Sequence, residues 1–249
     1  MLEIKGLSKS FGGIHAVSNC SLGLKDYVIT GLIGPNGSGK TTLFNLITGS
    51  IPPDKGEIYF KGNRIDGYLP YKVAQHGIIR TFQLTRIFPK MTVLENMLLA
   101  PLHQTGEILW SLWVKRRRIR DEEKAYRERA LGLIETVGLS HLKDQFAENL
   151  SYGQQKLLEL GRAFMADPKM ILLDEPTAGI NPSLIRKIME LILKMKESGK
   201  VFFIIEHNMG VIIELCDWVF VLDNGEKIAE GKPKEIQNDP RVIEAYLGV

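Results

Sequence analysis

The stretch VITGLIGPNGSGKTTLFNLITG, residues 28–49, decides how the chain reads. Its opening, VITGLI, is a nearly continuous apolar run, the pattern of a strand buried on both faces. GPNGSGKTT (34–42) then fits the spacing G-x-x-x-x-G-K-[ST], with Gly34, Gly39, Lys40 and Thr41 in the fixed places. The closing LFNLITG reads as an apolar helix. Strand, glycine-rich turn and helix in that order let the backbone wrap a phosphate chain at a helix N-terminus. The candidate ligands are Gly34, Pro35, Asn36, Gly37, Ser38, Gly39, Lys40, Thr41 and Thr42, with Lys40 reaching β and γ oxygens and the Thr41 hydroxyl ligating Mg²⁺.

A second buried run, MILL, ends in Asp174 and Glu175. Two carboxylates at the mouth of a buried strand would cost several kcal/mol each if left unpaired, and Mg²⁺ supplies positive charge for Asp174. Glu175, facing the other way, is a candidate base or orienting group for water attacking a γ-phosphate. His207, in IIEHN, follows the apolar run VFFII and so falls at the carboxyl edge of the same sheet, where open α/β sheets bind ligands. LSYGQQKLLELGRA (150–163) reads as a helix start, with Ser151 as N-cap and Gln154 three residues on. Gly153 strips its first turn, leaving N–H groups for a second anion.

Outward from these motifs the chain divides by pattern. LEIKGL, AVSNCSLGL and GEIYFKGN are short alternating runs, as in antiparallel strands. From about residue 84 to 150 the pattern is helical. Thr92 with Glu95 makes a capping box, and residues 121–137 place Ala130, Leu131, Ile134 and Val137 on one amphipathic face. In the last third Asn181 and Pro182 open a helix running to about Ser198, Gly199 ends it and VFFII follows. Strand–helix–strand units of this kind build a parallel sheet.

The totals describe an ordinary folded chain: 249 residues, 44% hydrophobic and 24% charged, which argues against disorder. A net charge of +3 is too small to point to nucleic acid. Cys20 and Cys216 lie far apart, without metal-ligand spacing, and read as free thiols of a reducing compartment. MLEIKGLSKS lacks the apolar core of a signal peptide, and no apolar run approaches the roughly 20 residues that span a bilayer. The expectation is a soluble protein that meets any membrane through a partner.

GPNGSGKTT, the Gln83 of RTFQ, LSYGQQ, MILLDEP and the His207 of IIEH, in this order and at these intervals, resemble the ATPase subunit of an ATP-binding cassette (ABC) transporter, over essentially the whole chain. The resemblance implies an α/β fold. It would have a P-loop NTPase core with a mostly parallel sheet, an antiparallel β-subdomain and a helical subdomain. The corresponding divisions are 1–84 for the β-subdomain and first part of the core, 85–165 for the helical subdomain and 166–249 for the rest of the core. It implies ATP and Mg²⁺ as cofactors, and ATP hydrolysis that drives transport. The partners would be a second ATPase subunit, packed head to tail, and integral membrane permease subunits, at the cytoplasmic face of the cell membrane.

Carried onto this chain, the family pattern makes Phe11 the ring that stacks on adenine, against the alternative of a core strand residue. Gln83 would contact Mg²⁺ or the attacking water, His207 would hold the γ-phosphate and support Glu175, and Ser151, Gly153 and Gln154 would bind the partner's ATP. Thr41, Gln83 and Asp174 form the implied metal set. Two positions depart from the pattern: Tyr152 stands where the signature has Gly, and Asn181 where an Asp is usual. RTFQ, SYGQQ, DEPTAGINP, IEHNM and the AYLG ending look most like branched-chain amino acid importers. Lipid or lipopolysaccharide export ATPases and non-transport P-loop phosphotransferases are the alternatives. ILWSLWVKRRRIR (108–120), two tryptophans and five basic side chains, reads as a helical-subdomain hairpin with a solvated basic face, or as a surface lying on anionic headgroups.

Overall fold

A computed structural model describes residues 1–25, 28–81, 87–102 and 116–247. The chain forms two compact units, Met1–Gln83 with Lys169–Val249, and Leu84–Pro168.

The first unit contains β1 (Leu2–Phe11), β2 (Ile14–Leu24), β3 (Ile29–Ile33), α1 (Lys40–Ile47), β4 (Lys55–Phe60), β5 (Asn63–Arg64), α2 (Pro70–Gln75) and β6 (Ile78–Arg80). The second unit follows with α3 (Val93–Leu98), α4 (Arg116–Thr136) and α5 (Tyr152–Met165). The chain then returns to the first unit through β7 (Met170–Asp174), α6 (Pro182–Glu197), β8 (Val201–Ile205), α7 (Met209–Leu215), β9 (Trp218–Asp223), β10 (Glu226–Gly231), α8 (Pro233–Gln237) and α9 (Pro240–Leu247).

Two sheets organise the first unit. The alternating runs near the N-terminus pair as an antiparallel sheet, order β2-β1-β4-β5, whose inward residues Leu2, Ile4, Leu7, Val17, Ile58 and Phe60 are buried. The continuous apolar runs form the other sheet, order β10-β9-β3-β8-β7-β6, parallel apart from the β10 edge. All five residues of β3, of β7 and of β8 are buried, as strands covered on both faces must be. Asn181 caps α6, its side chain accepting the Leu184 N–H at 2.9 Å, and Pro182 occupies the first turn. Asn therefore performs at this position the capping that an Asp would, without the charge.

In the second unit α3, α4 and α5 pack on one another. The Thr92–Glu95 capping box is present, with the Glu95 N–H donating to Thr92 Oγ1 at 3.1 Å and the Thr92 N–H to Glu95 Oε2 at 2.7 Å. The Asn96 amide, fully buried, donates to the Phe88, Met91 and Thr92 carbonyls and accepts the Phe88 N–H. Ala130, Ile134 and Val137 are buried, whereas Leu131, expected on the same face, is 36% exposed. Positions i, i+4 and i+7 form one stripe, and Leu131 is rotated about 100° from its head. Among the described residues no helix is long and apolar enough to cross a membrane. Most of the Trp/basic stretch, 108–115, lies outside the described residues.

Candidate nucleotide site

Parallel pairing of β3, β8 and β7 brings three strand ends into one row, with Leu32 opposite Ile205 and Ile205 opposite Asp174. The residues following those strands therefore converge at one sheet edge: the loop 34–39 after β3, Glu175 after β7, and Glu206 and His207 after β8.

The loop is built around two close approaches. Gly34 has φ +150°, and a Cβ there would lie 2.0 Å from the Leu222 carbonyl oxygen. Gly39, at φ +98°, would place one 2.2 Å from the Ala16 carbonyl oxygen. Only glycine fits either position. Gly39 also precedes the first turn of α1, where no side chain caps the backbone donors. That is the opposite of the Ser151 turn, and it suits an anion.

Lys40 is buried, and its Nζ donates to the Gly34 carbonyl at 3.0 Å and the Pro35 carbonyl at 2.8 Å, with Ser38 Oγ at 3.3 Å. Burial pushes the ammonium pKa down, and the charges of Glu175 and Asp174 partly offset it. Its present acceptors are neutral carbonyls, so a phosphate oxygen would be a stronger partner. Thr41 is exposed at the same turn.

Asp174 is 5% exposed. The positive charge it requires is present in the protein itself, because the Arg80 guanidinium donates to Asp174 Oδ2 at 2.7 Å, both side chains being 6% exposed. Arg80 also donates to Asn45 Oδ1 at 2.6 Å and lies 5.5 Å from the centre of the Phe44 ring. An arginine 94 residues away in sequence thus pairs directly with the carboxylate expected to serve Mg²⁺.

Glu175 follows directly after β7. It holds φ +49°, a left-handed conformation uncommon for a residue with a Cβ, and its N–H donates to the Ile205 carbonyl at 2.9 Å. Its carboxylate Oε1 stands 3.1 Å from His207 Nε2, so these two groups, 32 residues apart in sequence, are in direct contact. A carboxylate paired with an imidazole can orient and polarise a water.

The remaining positions fall as follows. Phe11, at the end of β1, is 47% exposed with Lys9 Nζ 5.5 Å from its ring centre, which removes the core-residue alternative and leaves a free aromatic face. Ser151 and Gln154 close a complete capping box at the start of α5, the Ser151 N–H donating to Gln154 Oε1 at 2.8 Å and the Gln154 N–H to Ser151 Oγ at 3.4 Å. The donors of that turn are therefore partly engaged within it rather than open. Gly153 lies in the same turn, and Tyr152 is exposed with Lys156 Nζ 5.6 Å from its ring centre. Gln83 lies outside the described residues.

Sequence reasoning missed Arg80, Thr177, Glu206 and Tyr246. The Tyr246 hydroxyl, on α9, accepts the Gly34 N–H at 2.9 Å and so ties the C-terminal helix to the phosphate loop. Burial pushes this phenol's pKa up, so it remains protonated. Tyr246→Phe leaves the Gly34 N–H without that acceptor and should cost about 1 kcal/mol of stability, read as a lower urea midpoint at unchanged slope.

Known proteins share this sequence and fold over the length of the chain. A family profile described as "ABC transporter" matches residues 17–178, and one described as "Branched-chain amino acid ATP-binding cassette transporter" matches residues 226–249. A probable branched-chain amino acid transport ATP-binding protein LivG of Archaeoglobus fulgidus is 42% identical, over 100% of this chain and 95% of that protein. A crystal structure of the ADP conformation of an ABC transporter's ATP-binding cassette superposes with a TM-score of 0.85 at 40% identity, covering 100% of this chain and 99% of the other. A dimeric cassette in a post-hydrolysis state, bound to ADP and Pi, superposes with a TM-score of 0.76 at 27% identity, covering 94% and 99%. The chain belongs to the ABC transporter family and is one of its ATP-binding, ATP-hydrolysing cassettes.

Proposed function

We propose that this cassette hydrolyses ATP to power the import of branched-chain amino acids, as the peripheral ATPase of a membrane complex at the cytoplasmic face. The observation carrying the catalytic part is the Glu175–His207 contact at 3.1 Å, on the sheet edge that also carries the phosphate loop. The observation carrying the solute is the C-terminal match to branched-chain amino acid cassettes over residues 226–249.

The chain's own residues have these parts. Phe11 offers its open face to adenine. Gly34, Pro35, Asn36, Gly37, Ser38, Gly39, Thr41 and Thr42 surround the phosphate chain through the uncapped first turn of α1. Lys40 exchanges its two loop carbonyls for phosphate oxygens, which as charged acceptors are the stronger partners. Glu175 orients and polarises the attacking water, and His207 supports Glu175 and holds the γ-phosphate. The donor set for Mg²⁺ is the Thr41 hydroxyl, the Asp174 carboxylate and Gln83, all hard oxygen ligands of the kind this ion takes. Mg²⁺ bound with ATP would neutralise charge building on the phosphates.

Completion of the site needs a second cassette, identical or homologous, packed head to tail. Ser151, Gly153 and Gln154 then bind the neighbour's γ-phosphate. The 3.4 Å bond from the Gln154 N–H to Ser151 Oγ is longer than an ordinary N–H···O bond, so an anion displaces it readily. Closure passes through Gln83 to permease subunits, and hydrolysis reopens the pair. The dimeric relative supports this reading, as do Phe88, Leu99 and Phe146, exposed apolar side chains of the helical unit.

The test is uptake by proteoliposomes holding the cassette with its co-purified membrane subunits. Labelled leucine, isoleucine or valine should accumulate with internal ATP and fail to accumulate with ADP. Accumulation of none of the three, with ATPase activity intact, rejects the solute assignment.

A further inference from the structure

Glu206 is 3% exposed, and its carboxylate is held from two sides. Oε1 accepts the Thr177 N–H at 3.0 Å and, in a short contact, the Thr177 hydroxyl. Oε2 accepts the N–H groups of His207 at 2.9 Å and Asn208 at 3.2 Å. A buried carboxylate is tolerable only when its oxygens are satisfied, and here two separate turns satisfy it. One follows β7 and carries Glu175, two residues before Thr177. The other follows β8 and carries His207 itself.

We propose that Glu206 is a positioning residue: its carboxylate clamps the turn after β7 to the turn after β8 and thereby sets the Glu175–His207 contact. The inference rests on the reading that those two residues act at the γ-phosphate. The clamp has a physical reason to exist. Glu175 sits at φ +49°, a conformation that persists only where its surroundings over-determine it. The Glu175 N–H bond to Ile205 fixes one side of that residue, and the Thr177–Glu206 bonds fix the other. A displacement of 1 Å between reacting groups costs about 10²-fold in rate, so a brace between two loops has a large effect on turnover and little on binding.

The chemistry calls for a carboxylate and not its amide. All three backbone partners are N–H donors, one on Oε1 and two on Oε2. In Glu206→Gln either flip of the amide aims an NH₂ group at a backbone N–H. The Thr177 hydroxyl can rotate to accept, but the Thr177 N–H cannot.

The experiment uses the full chain and separates kcat from nucleotide affinity. Glu206→Gln should lower kcat by at least about tenfold while the ATP dissociation constant, read by displacement of a fluorescent nucleotide, stays within about threefold. Thr177→Val, which loses one hydrogen bond at nearly constant volume, should lower kcat by a smaller factor, and Thr177→Ser should recover most of that loss. Thr177→Val carries the test alone if Glu206→Gln does not fold. Glu175→Gln is measured in parallel. Wild-type kcat in both Glu206→Gln and Thr177→Val, with Glu175→Gln inactive, overturns the clamp and leaves the site reading standing. Affinity that falls in step with kcat also overturns it, because that is general loss of structure. Wild-type turnover in Glu175→Gln overturns the site reading, and the clamp with it.

Discussion

Glu175→Gln should cut the ATP turnover number by about 10²–10⁴-fold and leave ATP affinity near wild type. The substitution keeps the shape of the side chain, and the new amide oxygen can still accept from His207 Nε2 in the imidazole tautomer that carries a proton there, so the contact at 3.1 Å survives. What is lost is the negative charge that polarises water. The two effects separate cleanly because Glu175 has no part in holding the phosphates in the ground state, a role that falls to Lys40 and the uncapped turn of α1. A variant that binds but does not turn over should accumulate as an ATP-bound dimer, visible as an earlier peak on a sizing column with ATP and absent with ADP. Turnover at the wild-type rate would take the catalytic role away from Glu175.

That result would also show which parts of the site a sequence can display. The phosphate loop was legible because its chemistry is local: glycines at fixed intervals, a lysine and a threonine, between a strand and a helix. Both capping boxes, Thr92–Glu95 and Ser151–Gln154, were legible for the same reason, since their partners are three residues apart. Buried strands declared themselves by continuous or nearly continuous apolar runs, and β3, β7 and β8 all follow them. Sequence spacing leaves the counter-charge of Asp174 to a metal and gives no sign of Arg80, which sheet pairing of β6 with β7 brings to it. Tyr246 reaches Gly34 across 212 positions, which no spacing rule addresses. Glu206 was in plain view beside His207, yet its function depends on Thr177, which becomes a neighbour only when two strand ends align. Leu131 shows the limit of periodicity itself, since one helical position decides between a buried and an exposed leucine.

Arg80 gives the largest expected effect on stability. Arg80→Met removes the guanidinium from between Asp174 and Asn45 while keeping an apolar stem against Phe44. It leaves the Asp174 carboxylate buried without its cation, which costs about 3–5 kcal/mol. For a chain of this size that corresponds to a fall of roughly 6–20 °C in the melting temperature measured without nucleotide. The double variant Arg80→Met/Asp174→Asn should recover most of the loss, because removing the charge removes the reason for the guanidinium; a buried pair contributes little net stability when both partners are replaced. The order of the three proteins is therefore wild type close to the double variant, with the single variant well below both. If Arg80→Met alone costs less than about 1 kcal/mol, water or another cation serves Asp174, and the pair is not what holds β6, α1 and the end of β7 together. The urea midpoints carry the same comparison, and equal slopes in all three would locate the effect in the folded protein rather than in the unfolded chain.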